Sequence, residues 1–155
     1  MTSFALRLGQ AMALGRVAIG VSALAAPTLL ARPWIGDGAA RQDARLLART
    51  MGGRDVALGL GALRALSRDR TDEARIWVGL GGMADAVDAT VTVLAFRRLP
   101  RVTRWAILGA TVGAAVASFR VAEELSLDPG QAAPAQPVPV VAPAAADPVT
   151  APSDR

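Results

Sequence analysis

The sequence contains no cysteine, no histidine and no tyrosine. Without cysteine, the chain has no disulfides, thiolate nucleophiles, zinc-thiolate sites or iron-sulfur clusters, and its redox compartment cannot be read from the sequence. Without histidine and tyrosine, the commonest general base and common metal and haem ligands are also absent. Carboxylates, hydroxyls and arginines are the groups left for chemistry, and we expect no cofactor and no metal.

Lysine is absent too, so all 17 basic residues are arginines. The resulting pI of about 11.3 lies in the range typical of nucleic-acid-binding domains. The arginines do not form one stripe interleaved with aromatic residues, however, and aromatic residues make up only 4% of the chain. We therefore expect no nucleic-acid partner.

Hydrophobic residues make up 52% of the chain, and the charges are bunched between long apolar runs. Each run is near the ~20 residues that a helix needs to cross a bilayer. A soluble bundle of buried helices is the alternative, but such helices need a polar face, and residues 105–119 carry no charge on any face. The sequence therefore predicts an all-α, multi-pass protein of the cell membrane, with residues 1–125 forming a bundle of four transmembrane helices at about 8–31, 46–66, 76–96 and 102–122.

The two ends of the chain differ from this pattern. Residues 126–155 hold seven of the ten prolines, which predicts a disordered or polyproline II tail. Near the N-terminus, residues 17–25 resemble a signal-peptide core with a small-residue cleavage site, and cleavage would leave three helices. The apolar run continues to Leu30, which favours a retained first helix that Pro27 kinks or ends.

Three tryptophans, Trp34, Trp77 and Trp105, each lie at the boundary of an apolar segment. An indole has an apolar ring and a polar N–H, and it settles at the headgroup level of a bilayer. We therefore expect these residues to mark the membrane surfaces rather than to belong to the core.

Five charged residues fall inside the apolar segments: Arg16, Arg54, Asp55, Asp85 and Asp88. A charge left in hydrocarbon costs several kcal/mol, so these residues should face inward and pair. At ~1.5 Å per residue, Arg54 and Asp88 lie at equal depth, and the Arg16 side chain can span its ~6 Å offset from Asp85. These are the predicted pairs, and Asp55 either joins the second pair or caps another neighbour.

Two arginines against three aspartates leave one negative charge in this network. One aspartate stays protonated at neutral pH, or a cation or polar ligand supplies the balance. Two interpretations stay open. The network only fixes helix register, or it forms a site for a proton, an ion or a small solute.

Small residues recur on the last segment at Gly109, Gly113 and Ala117, which share one helix face. Such a stripe allows two helix backbones to approach closely. We expect it to pack inside the bundle, and a contact with a second copy in a homo-oligomer is the alternative.

An enzymatic alternative comes from CDP-alcohol phosphatidyltransferases, whose aspartates hold a divalent metal in the pattern DGxxAR followed by GxxxDxxxD. Here Asp37 to Arg41 is one residue short of the first part. Gly81, Asp85 and Asp88 match the second part with one gap too short and one helix too late. Only Asp85 and Asp88 could serve as metal ligands in that alternative.

The stretch from Arg49 to Gly59, R-x-M-G-G-R-D-V-A-L-G, resembles the second-helix motif of small four-helix membrane proteins of actinobacteria. That family has no assigned function and is distantly similar to DoxX-like proteins. The resemblance covers residues 5–122 and implies that Arg54 and Asp55 belong to the family pattern, without a role for Asp85 or Asp88.

These observations predict a membrane protein in which buried arginines and aspartates organise the bundle and bind a proton or a small polar ligand. The alternatives are a proton-coupled or solute-transporting subunit, which would favour an oligomer, and a membrane-embedded enzyme that uses aspartates.

Overall fold

In the computed structural model, which describes residues 3–126, every regular element is a helix, and the predicted all-α class is confirmed for this part of the chain. The predicted tail at 126–155 lies outside the described residues, apart from its first residue, which ends the last helix. The helices are α1 (Ser3–Ala25), α2 (Pro27–Ile35), α3 (Gln42–Leu66), α4 (Thr71–Ala95) and α5 (Arg104–Ser126), with 3₁₀ turns at Gly36–Ala40 and Phe96–Arg98.

Two of the helices begin before the apolar segments that predict them. The α3 and α4 helices begin four and five residues before the predicted starts, at Gln42 and Thr71. Backbone hydrogen bonding continues through polar residues at the water interface, whereas hydropathy marks only the apolar part. The first segment is divided at Pro27, which opens α2 because proline has no N–H to continue α1.

In the described part of the chain, three helical stretches are long and apolar enough to cross a membrane: Phe4–Ala25, Thr71–Arg98 and Arg104–Ser126. The α3 helix is absent from this set because its charged residues lower its hydropathy. The predicted count of four crossing helices therefore does not follow from length and composition alone.

The distribution of side chains is the reverse of that in a soluble bundle. Among the residues whose burial the structure describes, nine of the fourteen buried hydrophobic residues are alanines. Large apolar side chains point outward, with Leu94 82% exposed and Leu29 75% exposed. A surface of this kind suits a lipid environment, in which small residues mediate helix contact.

The packing determines where the site can lie. The α1 helix packs along α3, α4 packs along α5, and the contact of α3 with α4 joins the two pairs. The closely packed apolar core lies near the turn between α3 and α4, where Leu66, Val78, Val121 and Leu125 are each at most 7% exposed. The space between the helices away from this core contains the charged residues.

Candidate functional site: a charge network beside an internal cavity

Arg16 on α1 is held by α3 and α4. Its Nη1 donates a hydrogen bond to Oδ1 of Asp55 at 3.0 Å, and its Nη2 donates to Oδ2 of Asp85 at 2.5 Å. The same Nη2 donates to the backbone carbonyl of Gly81 at 3.2 Å. Gly81 lies one turn before Asp85 on α4, so both acceptors lie on one helix face. A single guanidinium therefore joins three helices.

Arg54 on α3 makes a two-pronged contact with Asp88 on α4. Its Nη2 donates to Oδ2 at 2.9 Å, and its Nη1 donates to Oδ1 at 3.3 Å. This fork geometry fixes direction as well as distance. Arg54 also donates from Nη2 to Oδ1 of the adjacent Asp55 at 3.3 Å. Asp55 thus accepts from two arginines and connects the two pairs into one network.

The structure brings together all five residues that the sequence singles out. Arg54 contacts Asp88 and Arg16 contacts Asp85, which are the two pairs that helix depth predicts. Asp55 joins both pairs instead of capping a separate neighbour. The Arg16 and Asp55 side chains are each 14% exposed, and that of Asp85 is 12% exposed. Asp88 is also 14% exposed, whereas Arg54 is 32% exposed, so the network lies within the bundle with Arg54 at its more accessible edge.

A cavity of about 530 Å³ lies beside this network. Its polar wall includes four of the five network residues: Arg16, Asp55, Asp85 and Asp88. Most of the remaining wall is apolar and comes from α1, α3, α4 and α5, with Trp34 from α2. A mostly apolar cavity of this size with a few convergent polar groups is typical of a small-molecule site.

Two of the tryptophans face inward, which differs from the expected interfacial role. Trp34 and Trp77 both line the cavity. The Nε1 of Trp34 donates to Oγ1 of Thr92 at 3.2 Å, and that hydroxyl donates to the carbonyl of Asp88 at 2.7 Å. Trp105 is 65% exposed and remains outside. Position near a helix end indicates depth in a bilayer but not the direction in which a side chain points.

The small-residue stripe on α5 lies beside open space rather than against another helix of this chain. A Cβ atom added at Gly109 or Gly113 would meet nothing within 4 Å. Gly113 and Ala117 line the cavity instead. The expected internal contact is therefore absent at these two glycines, because no helix lies opposite them at close range.

Gly81 and the tryptophan–threonine contact are parts of the site that the sequence alone did not reveal. Helical spacing is the feature of the sequence that could have revealed them. Intervals of four, three and four residues separate Gly81, Asp85, Asp88 and Thr92. Such a row shares one face of a helix. Thr92 is fully buried, which a threonine flanked by valines in an apolar run does not disclose.

No family model, curated protein or solved structure matches this chain. Across residues 3–126 there is no cluster of three or more acidic side chains that could hold a metal ion. The arrangement can instead hold a proton, or accept hydrogen bonds from a ligand at the carboxylates that line the cavity.

Proposed function

We propose that this chain is a multi-pass protein of the cell membrane in which the Arg/Asp network holds four crossing helices together and forms the polar wall of a ligand-binding cavity. The observation that carries this proposal is the cavity of about 530 Å³ with four network residues in its lining. A network with a structural role alone would not need an open space beside it, because close packing stabilises a bundle better than a void does.

The fourth crossing helix in this proposal is α3. At ~1.5 Å per residue it is ~37 Å long, which exceeds the ~30 Å of a hydrocarbon layer. Its residues Arg54 and Asp55 lower its hydropathy, but both make ion pairs inside the bundle. Pairing lowers the cost of placing these charges at membrane depth.

We propose that the chain is similar to the small actinobacterial, distantly DoxX-like family, on the stretch from Arg49 to Gly59 that now lies in α3. That similarity implies that Arg54 and Asp55 belong to the family pattern, and it adds no activity.

The geometry favours binding over transport or metal-dependent catalysis. The apolar core near the turn between α3 and α4 adjoins the cavity, with Ala62 and Val78 belonging to both, and a transported polar solute would have to pass this apolar region. An enzyme that uses Asp85 and Asp88 with a divalent metal is less favoured, because both carboxylates already accept hydrogen bonds from arginines.

A double-mutant cycle tests the network. Arg54→Ala and Asp88→Asn each remove one partner of a partly buried pair, with side chains 32% and 14% exposed, so each should lower the melting temperature in detergent. The double variant should lose less than the sum, with a coupling of about 1–3 kcal/mol. The exposed Arg41–Asp43 pair, with side chains 74% and 67% exposed, is the matched control and should give nearly additive effects. Strict additivity at Arg54 and Asp88 would remove the pairing from the proposal.

A further inference from the structure

We propose that the cavity takes a lipophilic organic cation, a protonated amine on an apolar body, which enters from the bilayer through an opening between α1 and α5. This inference rests on the proposed ligand-binding function and names the class of ligand and its route.

The opening is located by the lining residues that are also exposed. Of all the residues around the cavity, four are exposed, and they lie on only two helices: Gly15 and Ile19 on α1, and Ala110 and Gly113 on α5. A Cβ atom at Gly15 or Gly113 would meet nothing within 4 Å. The α1 and α5 helices therefore stand apart at this level, and glycine leaves the space between them free.

The depth of the opening shows which medium it faces. Gly15 lies ten residues before the end of α1 at Ala25, and Gly113 lies nine residues after the start of α5 at Arg104. At ~1.5 Å per residue, both lie ~14–15 Å from the same end of the bundle. This is the middle of a ~30 Å hydrocarbon layer. A molecule that enters here comes from among the acyl chains, so its body must be apolar.

The excess of carboxylates over guanidinium groups in the network favours a cationic head group. Two guanidinium groups face three carboxylates, so one positive charge is needed for balance when all five are ionised. The described hydrogen bonds to Asp55 all reach Oδ1, and Arg16 reaches Asp85 at Oδ2. The other oxygen of each carboxylate can accept from an ammonium N–H.

The rest of the lining agrees with an organic cation rather than a metal ion. No acidic cluster among residues 3–126 could hold a metal. Trp34 and Trp77 contribute indole rings to the wall, and the face of an indole attracts an organic cation when water is excluded. The remaining apolar wall fits an alkyl or aryl body.

The test measures thermal unfolding of the full chain in nanodiscs with decylamine and with 1-decanol, which have the same alkyl chain but differ in the charge of the head group. Decylamine should raise the melting temperature in a concentration-dependent way, and decanol should not. Gly113→Leu fills the opening and should abolish the shift. Gly109→Leu is the matched control, because Gly109 also has open space around it but does not line the cavity.

A second measurement covers the case in which Gly113→Leu does not fold. In Trp105→Phe the remaining tryptophans, Trp34 and Trp77, both line the cavity. Quenching of their fluorescence by 10-bromodecylamine should saturate, whereas 10-bromodecanol should quench weakly and without saturation.

Each other result overturns a defined part of the inference. Equal stabilisation by decanol overturns the cationic head group. If decylamine raises the melting temperature of Gly113→Leu as much as that of the parent chain, the opening between α1 and α5 is overturned. The opening is also overturned if the parent chain forms a dimer that Gly113→Leu disrupts. No shift and no saturable quenching overturn the ligand class. The Arg54–Asp88 coupling needs no ligand, so it tests the network separately.

Discussion

At the scale of single residues, glycine allows α1 and α3 to approach closely. A Cβ atom added at Gly20 would lie 2.6 Å from the carbonyl oxygen of Gly52, and one added at Gly52 would lie 2.7 Å from the carbonyl oxygen of Gly20. Real Cβ atoms do not tolerate such distances to a rigid backbone atom. The two helices are therefore in backbone contact at a point where no other residue fits.

We predict that Gly52→Ala destabilises the protein while its neighbour Gly53→Ala does not. The new methyl group at residue 52 must push α1 away, and overpacking of this kind costs about 1–3 kcal/mol. At Gly53 a Cβ atom would meet nothing within 4 Å, and alanine favours a helix over glycine by about 0.5–1 kcal/mol. Melting temperatures in one detergent should fall for the first variant and stay level or rise for the second. Equal losses in both would contradict the close contact.

At the scale of single residues, the ion pairs of the site could be predicted from the sequence. Charge type and helix depth identify the Arg54–Asp88 and Arg16–Asp85 pairs, because an unpaired charge in hydrocarbon is so costly that few arrangements remain. The same reasoning fails for Gly109 and Gly113. Helical spacing places residues on one face, but it does not say whether a helix or an open space lies opposite.

At the scale of elements, α3 is the helix whose role depends on its neighbours. Within residues 3–126, three helices are long and apolar enough to cross a membrane, and α3 is not among them. Its ion pairs to α1 and α4 nevertheless hold its charges between the helices. The sequence predicts the existence and approximate bounds of the long helices because apolar runs of that length are distinctive. It misses the short α2, since hydropathy does not separate it from α1.

Single cysteines can test whether α3 crosses the membrane. The chain has no cysteine, so each introduced thiol reports one position. Gly38→Cys precedes α3, Arg68→Cys follows α3, and Arg98→Cys lies between α4 and α5. In sealed vesicles, a membrane-impermeant maleimide should label positions 38 and 98 from one side and position 68 from the other. Full labelling after detergent solubilisation is the control. Labelling of positions 38 and 68 from the same side would mean that α3 does not cross.

At the scale of the whole molecule, α1 packs on α3, α3 on α4 and α4 on α5, and the contact of α1 with α5 is smaller than these three. This arrangement could not be predicted from the sequence. Every long helix has small residues and apolar residues that suit several neighbours, so composition does not specify which two helices stand apart. For the same reason the cavity could not be foreseen, because a void is a property of the assembled bundle rather than of any one segment.

We predict that Arg16→Leu destabilises the full chain but improves membrane insertion of the first helix alone. In the full chain the change leaves Asp55 and Asp85 without their shared partner, so the melting temperature should fall. In a fusion that carries only residues 1–35, the same change should improve membrane insertion, because an arginine at a helix centre costs about 2.5–3.5 kcal/mol. A glycosylation-site reporter can measure insertion of the fusion. If Arg16→Leu raises both the melting temperature of the full chain and the insertion of the fusion, or lowers both, then Arg16 is not paired with the later helices.

The three-helix contact of Arg16 also implies a sequence of events during biosynthesis. Its two carboxylate partners come 39 and 69 residues later in the chain, on α3 and α4. If the helices enter a bilayer in chain order, Arg16 gains Asp55 when α3 arrives and Asp85 only when α4 arrives. The contact that joins the three helices is then completed one helix at a time.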